Sequence, residues 1–235
     1  MSDLIINNLT KSYRVNNDPY PVLKGISCTT DCSAITVILG KSGCGKTTLL
    51  RLISGLEEPD AGTIKYPANI NIGMMFQEAR LMPWLTCEKN ITFGLPPNYD
   101  KEKIRALLTT VGLTNFAHAY PGELSGGMQQ RTALARTLAR DSNLILMDEP
   151  FAALDYFTRQ IMQKEVLKIK AASHTGIIFV THNIDEALLL ADRILILKDG
   201  NITSDITIAC QGQRDILTAR FIDLKRQILA ALQIK

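Results

Sequence analysis

Long apolar runs are missing from this sequence of 235 residues. No stretch approaches the roughly 18 apolar residues that a helix needs to span a membrane. The N-terminus also lacks the basic and apolar regions of a secretory signal peptide. We therefore expect that any membrane role of this chain depends on a partner protein.

An excess of charge of one sign is missing too. Lys and Arg number 26 against 23 Asp and Glu, and there is no dense basic block, so the charge does not by itself suggest nucleic-acid binding. The five cysteines are odd in number and include no Cys-x-x-Cys pair, which favours a reduced cytosolic compartment. With 46% hydrophobic residues, the chain is long enough for one large α/β domain with a sizeable core.

The most specific motif is Gly40–Thr47, which fits the phosphate-binding pattern G-x-x-x-x-G-K-[ST] without a mismatch. The apolar, β-branched run at 34–39 predicts a strand buried on both faces just before it. Apolar residues at helical spacing predict a helix over 46–54, which Gly55 would end. A strand, a glycine loop and a helix in this order predict a nucleoside triphosphate site rather than a chance glycine-rich turn.

The residue types in this loop suit a triphosphate. Glycines let backbone N–H groups approach the phosphates, and the helix N-terminus adds further N–H groups. Lys46 is expected to reach the β- and γ-phosphates, and the Thr47 hydroxyl to bind Mg²⁺. The nucleotide-binding residues predicted here are Gly40, Lys41, Ser42, Gly43, Cys44, Gly45, Lys46, Thr47 and Thr48.

Cys44 carries a separate hypothesis. It lies in a loop that opens a helix, where thiolates are favoured. We therefore expect a thiol reagent to inhibit the protein and the bound nucleoside triphosphate to protect it.

A second buried strand is predicted at 143–150, and it ends in two acids. Asp148 at the carboxyl end of such a strand suits Mg²⁺ coordination, and Glu149 suits orientation or deprotonation of the attacking water. The alternative for the two acids is a solvated helix start. A third buried strand at 177–182 ends in His182, which either contacts a γ-phosphate or caps the next helix.

Two further candidates remain ambiguous from the residues alone. Tyr13 could stack on a base or pack at a strand end. Ser125 is a plausible N-cap of a helix over about 125–140, and the two glycines after it could leave N–H groups open to an anion.

The loop at 78–86 carries the only tryptophan, and its apolar residues are either core or a docking surface. The other elements predicted are strands at 22–27, 63–66 and 70–76, helices at 100–113 and 156–171, a hairpin at 194–197 and 202–208, and an amphipathic helix at 213–235.

Taken together, these motifs resemble the ATP-binding subunit of an ABC transporter over essentially the whole chain. The matching segments, in order, are Tyr13 with the adenine-stacking aromatic, Gly40–Thr47 with Walker A, Gln77 with the Q-loop, Leu124–Gln130 with the signature, Leu144–Glu149 with Walker B, Ala153–Asp155 with the D-loop, and His182 with the switch histidine.

The resemblance implies the fold and its division. We expect an α/β fold, with a P-loop NTPase (RecA-like) core, a small antiparallel β subdomain and an inserted α-helical signature subdomain. One ABC ATPase domain would cover 1–235. Its core and β subdomain would lie at 1–78 and 141–212, its helical subdomain at 79–140, and its C-terminal helix at 213–235.

The resemblance also implies a mechanism. Two cassettes would pair head to tail, with each ATP between one Walker A loop and the Ser125, Gly126 and Gly127 N–H groups of the other subunit. The expected ligands of Mg²⁺ are Thr47, Gln77 and Asp148. The expected catalytic residues are Glu149 as the base, His182 against the γ-phosphate, and Gln77, which would also report the nucleotide state to a transmembrane partner.

Within the family, the segment 76–84 is similar to the nitrate/sulfonate/taurine group of bacterial importers. This implies a peripheral subunit at the cytosolic face of the cell membrane, bound to an integral permease and served indirectly by a substrate-binding protein. No nucleic acid partner is expected. The alternatives are another small cargo such as a pyrimidine or vitamin precursor, an exporter cassette, or a soluble ABC ATPase that acts on nucleic acid or ribosomes.

Overall fold

A computed structural model of the chain describes residues 3–172, 175–208 and 214–233. The chain divides into two compact units, one of Met1–Ile70 with Thr175–Lys235 and one of Asn71–His174. The division into subdomains expected from the sequence stays a prediction.

The elements follow in chain order. The strands are β1 (Asp3–Val15), β2 (Asp18–Asp31), β3 (Ile35–Leu39), β4 (Ala61–Lys65), β5 (Ile72–Met75), β6 (Leu144–Asp148), β7 (Gly176–Thr181), β8 (Arg193–Lys198) and β9 (Asn201–Thr207). The helices are α1 (Lys46–Ile53), α2 (Cys87–Thr92), α3 (Lys101–Thr110), α4 (Gly126–Ala139), α5 (Tyr156–Ala172), α6 (Ile184–Leu190) and α7 (Ala219–Ala231), with 3-10 turns at Thr114–Phe116 and Pro121–Glu123.

The first unit contains the strand that precedes the phosphate-binding motif. β3 lies between β7 and β8 and is parallel to both, and all five of its residues are buried because apolar side chains cover both faces. β9 pairs antiparallel with β8 through a two-residue turn, Asp199-Gly200, whose φ angles of 49° and 81° match the predicted hairpin. β2, β1 and β4 form a separate antiparallel sheet in that order.

The second unit is mainly helical. β5 and β6 pair in parallel, and α4 packs against α2, α3 and β5. α4 buries a broad face of small and apolar residues, including Ala133, Leu134 and Leu138. The position of α4 therefore sets the positions of the segments that pack around it.

The predicted C-terminal helix was wrong in its start. α7 begins at Ala219, and Leu217 lies before it with 80% of its surface exposed. The Asp215 carboxylate accepts the Leu217 N–H at 2.9 Å, which makes a local turn in place of a helical one. Phe221 and Ile228 are buried as expected, and α7 packs against α6. Residues 213, 234 and 235 of the predicted helix lie outside the described residues.

Among the described residues, no helix is both long enough and apolar enough to cross a bilayer.

Candidate active site

The phosphate-binding loop follows β3 directly and ends at the start of α1. Two of its glycines cannot be replaced without strain. A Cβ on Gly40 would lie 2.3 Å from the Leu197 carbonyl oxygen, and Gly45, at the N-cap of α1, has a φ of 105°. The buried Lys46 ammonium donates to the Gly40 and Lys41 carbonyl oxygens, both at 2.9 Å. These bonds hold the ammonium group inside the loop, where a phosphate charge would be neutralised.

A cavity of about 510 Å³ lies beside this loop. Its volume is in the range of about 300–1,000 Å³ that is usual for small-molecule sites. Lys41 and Ser42 of the loop form part of its wall, together with Lys24, Lys198 and Tyr20. The lining holds three lysines against one carboxylate, that of Asp199, and this net positive charge favours an anionic ligand, as the motif predicts.

Tyr13 is not among the residues that line this cavity. Its hydroxyl donates to the Glu57 carboxylate at 2.5 Å and lies 3.5 Å from the Thr48 hydroxyl. Burial, and then the bond to Glu57, raise the pKa of Tyr13. Tyr20, which pairs with Tyr13 across the β1–β2 hairpin, is 58% exposed and lines the cavity. The sequence analysis missed Tyr20, because only the strand register reveals its position.

The thiol of Cys44 departs from the sequence-based hypothesis. Burial raises the pKa of Cys44, and the attraction of the Lys46 ammonium offsets this only in part. The expectation of a favoured thiolate was therefore wrong. Partial desolvation of the thiol outweighs the helix terminus.

His182 stands between two residues whose side chains fix the backbone. The buried Thr181 hydroxyl donates to the Glu186 carboxylate at 2.7 Å and accepts the Asn183 N–H at 3.0 Å. The Asn183 side chain accepts the N–H groups of Asp185 and Glu186 at the start of α6. Asn183 is therefore the helix cap, and the alternative of His182 as the cap is wrong. The His182 side chain is exposed.

In the second unit, Asp148 is the last residue of the buried strand β6, and Glu149 follows it directly. Asp148 is 2% exposed, and Glu149 has a φ of 45°, a left-handed conformation that is costly for a residue with a Cβ. α5 begins only at Tyr156, so the alternative of a solvated helix start is wrong. Strained backbone of this kind is concentrated at functional sites, which supports a chemical role for Glu149.

The signature segment has the geometry of a helix N-terminus, as predicted. The Ser125 hydroxyl accepts the Met128 N–H at 3.3 Å, and Ser125 and Gly126 are exposed. A Cβ on Gly127 would lie 3.6 Å from Leu154 Cδ2, so the predicted D-loop packs beside the signature. The neighbouring Asp155 caps α5, and hydrogen bonds from Thr158 hold the pKa of Asp155 below its ordinary value.

The side chain of Gln77 is exposed, and its backbone oxygen accepts the Gln130 side-chain N–H at 3.2 Å. Two further side chains, of Asn90 and Arg136, bind the backbone that follows Gln77. Gln130 lies in the predicted signature segment, whereas no role was predicted for Asn90 or Arg136. Asn90 binds backbone atoms four to eight residues away, and Arg136 binds backbone atoms 56 and 57 residues away; no sequence pattern reports such contacts.

The described residues contain no group of three or more acids, histidines or cysteines that could hold a metal ion by themselves. The predicted ligands of Mg²⁺ are a hydroxyl, an amide oxygen and one carboxylate. This is the oxygen donor set that Mg²⁺ takes when phosphates complete its coordination.

Comparisons with known proteins show the family to which the chain is similar. The profile of a family described as ABC transporter matches residues 23–152. An uncharacterized ABC transporter ATP-binding protein of Methanocaldococcus jannaschii, MJ0412, is 42% identical, with 98% of this chain and 91% of that protein covered. The aliphatic sulfonates import ATP-binding protein SsuB 2 of Pseudomonas savastanoi pv. phaseolicola is also 42% identical, with 92% of this chain and 80% of that protein covered.

The solved structures that are similar include a dimeric, post-hydrolysis state of the ATP-binding cassette MJ0796 bound to ADP and Pi. It is 28% identical, with a TM-score of 0.81, and the match covers 88% of this chain and 100% of that one.

Proposed function

Because the chain belongs to the ABC transporter family, whose ATP-binding proteins hydrolyse ATP, we propose that it powers import of a small solute through a separate transmembrane permease. The observation that carries this proposal is the 42% identity to aliphatic sulfonate import proteins over about nine-tenths of the chain. The solute would be nitrate, a sulfonate, taurine or a similar compound. A pyrimidine or vitamin precursor is the second candidate cargo; the equally similar MJ0412 is uncharacterized and does not favour one cargo over another.

Hydrolysis would use the residues that the sequence motifs identify. The N–H groups of the phosphate-binding loop and the Lys46 ammonium would hold the phosphates, and Glu149 would take the proton of the attacking water. His182 would donate a hydrogen bond to the γ-phosphate, and the Tyr13 ring would stack on the adenine. The hydroxyl of Thr47, the amide oxygen of Gln77 and the carboxylate of Asp148 would hold Mg²⁺, which neutralises charge on the phosphates.

The active form would be a head-to-tail pair of two copies. The exposed, capped helix start at Ser125 and Gly126 leaves N–H groups available to an anion of the partner subunit's site. The dimeric structures of the 28–29% identical cassette MJ0796 support this arrangement. Each ATP would then lie between one phosphate-binding loop and the signature of the other copy.

The permease would bind the second unit near Trp84, which is 70% exposed in the loop after Gln77. The chain would then be a peripheral subunit at the cytosolic face of the cell membrane. A substrate-binding protein would deliver the solute to the permease and not to this chain.

The test is a mild pull-down of the tagged chain from native membranes, with partners identified by mass spectrometry. We expect an integral permease together with a solute-binding protein. The cargo candidates can then be separated by binding assays on that solute-binding protein. Recovery of only ribosomal or nucleic-acid partners would contradict the proposal.

A further inference from the structure

The loop of residues 79–86, here called the Trp84 loop, has no helix or strand of its own. One backbone hydrogen bond, from Leu85 N–H to the Met82 oxygen at 3.1 Å, lies within it. Arg80 has a φ of 45°, a left-handed conformation that costs free energy in a residue with a Cβ. Such a segment needs support from outside to keep one shape, yet it displays the exposed ring of Trp84.

Asn90, on α2, supports the second half of the loop. Its side-chain oxygen accepts the Met82 N–H at 2.7 Å. Its side-chain nitrogen donates to the oxygens of Met82 (3.1 Å), Leu85 (2.9 Å) and Thr86 (3.1 Å). Asn90 is completely buried, and these bonds satisfy both ends of its amide. A buried amide that binds four backbone groups of one loop fixes the path of that loop.

Arg136, on α4, supports the first half. Its guanidinium donates to the Ala79 oxygen at 2.8 Å and to the Arg80 oxygen at 2.9 Å. These charge-assisted bonds hold the strained residue, and the fork geometry fixes both carbonyl directions at once. Burial, and the nearby Arg140 charge, lower the pKa of Arg136. α4 begins at the signature, so Arg136 joins the Trp84 loop to the helix that Ser125 caps.

We infer that Asn90 and Arg136 are positioning residues that hold the Trp84 loop in the one shape that presents Trp84 to the permease. This inference rests on the proposed function for its partner. Neither residue touches the permease in this account, because both are at least partly buried and bind the loop from behind. Trp84 acts as the anchor of the contact, and aromatic anchors of this kind dominate interface energies.

The loop itself is testable in the full-length chain, since Trp84 is the only tryptophan. Asn90→Ala should increase the fast local component of the time-resolved fluorescence anisotropy of Trp84. It should leave the ATPase rate of the isolated chain unchanged, since Asn90 is outside the hydrolytic residues. The matched control is Thr92→Ala on the same helix. The Thr92 hydroxyl bonds only Glu88 and Lys89 oxygens, so this variant should leave the anisotropy unchanged.

Whether the Trp84 loop presents Trp84 to the permease can be tested with native membranes stripped of the endogenous chain. Asn90→Ala should weaken rebinding at least about tenfold, the loss that removal of an interface anchor causes, as should Trp84→Ala. Arg136→Lys keeps the charge but loses the two-pronged geometry, and it provides a second variant if Asn90→Ala does not fold. It should increase the Trp84 motion and weaken rebinding in the same direction.

The outcomes separate the two claims. Unchanged Trp84 anisotropy in both folded variants would overturn the positioning roles. Increased motion with undiminished rebinding would overturn presentation. If the wild-type chain does not rebind to stripped membranes, the proposed permease partner fails and presentation fails with it, while increased Trp84 motion in the variants still supports positioning.

Discussion

Glu149 combines a strained backbone with a position directly after the buried end of β6. Glu149→Gln removes the base but keeps the size of the side chain. We expect turnover to fall about 10²- to 10⁴-fold, the usual contribution of general base catalysis, while ATP binding persists. The variant should also accumulate as an ATP-bound dimer, which size-exclusion chromatography with Mg²⁺ and ATP would detect. Glu165→Gln, whose carboxylate pairs with Lys168 on α5, is the matched control and should retain activity. Near-wild-type turnover of Glu149→Gln would contradict its role.

Cys44 should behave as an ordinary, slow thiol. Since burial raises its pKa above the ordinary value of 9.0, the thiolate fraction is small at neutral pH. Its alkylation rate should therefore rise about tenfold per pH unit from pH 7 to 9, as the reactive thiolate increases. Peptide-resolved mass spectrometry would measure the rate with and without ATP, and ATP should slow it. Cys87, fully buried beside the Thr132 hydroxyl, should stay unmodified in the native protein. A rate that is already constant between pH 7 and 8 would restore the original thiolate hypothesis.

Single-residue roles were predictable where the pattern is local. The phosphate-binding loop needs glycines at fixed spacing, so its identity is readable from the sequence. The cap at Asn183 and the raised pKa of Cys44 depend on side-chain packing, and both were decided only by the structure. Asn90 and Arg136 were missed because they bind backbone atoms, and backbone atoms carry no residue identity to recognise.

Two helix N-caps should both stabilise the fold, but only one of them should also affect dimer formation. The Asp100 carboxylate accepts the Glu102 and Lys103 N–H groups at the start of α3, as Ser125 does for Met128 at the start of α4. Replacing either cap by Ala should lower the free energy of unfolding by about 1 kcal/mol. Only Ser125→Ala should also weaken ATP-dependent dimer formation. Urea unfolding and light scattering would measure the two effects, and equal dimerisation of both variants would contradict the signature role.

The β8–β9 hairpin should lose stability in acid. The Arg193 guanidinium donates two hydrogen bonds to the Asp205 carboxylate and a third to the Thr29 oxygen of β2. The bond from Arg193 holds the pKa of Asp205 below its ordinary value of 3.8. A depressed carboxyl pKa stabilises the fold above the unfolded-state pKa, and this contribution disappears as pH falls through the folded-state pKa.

Asp205→Asn should therefore destabilise the protein at pH 7 and have progressively less effect below about pH 4, near the unfolded pKa. Since the carboxylate is about half exposed, the loss at pH 7 should be about 0.5–1 kcal/mol. Urea titrations at several pH values would measure it, with Asp223→Asn in the exposed Asp223–Arg226 pair as a control that should change little. A difference between Asp205→Asn and wild type that stays constant down to pH 3 would contradict this assignment.

Most elements were predictable because the apolar pattern marks the strands and helices, and glycines mark the turns between them. β3, β6 and β7 are continuous apolar runs, and the Asp199-Gly200 turn marks the hairpin. α2 was missed because six residues are too few to show a helical period. The start of α7 was predicted too early because Leu217 fits the apolar period, whereas the Asp215 side chain makes a turn there.

For the whole molecule, the predicted α/β fold class is confirmed by the match to ABC cassette structures. The fold could be predicted because every motif of the family is present in order. The solute could not, because the predicted cassette contacts a permease and not the cargo. Its chemistry is therefore not encoded in the residues that the motifs identify.

The most direct test of the central claim is solute uptake by living cells in which Glu149→Gln replaces the wild-type chain. Uptake of labelled nitrate, taurine and an alkanesulfonate would be measured beside wild-type and deletion strains. We predict that uptake of at least one of these solutes falls to the deletion level, with the variant protein still in the membrane fraction. Wild-type uptake of all three solutes in the variant and deletion strains would contradict it.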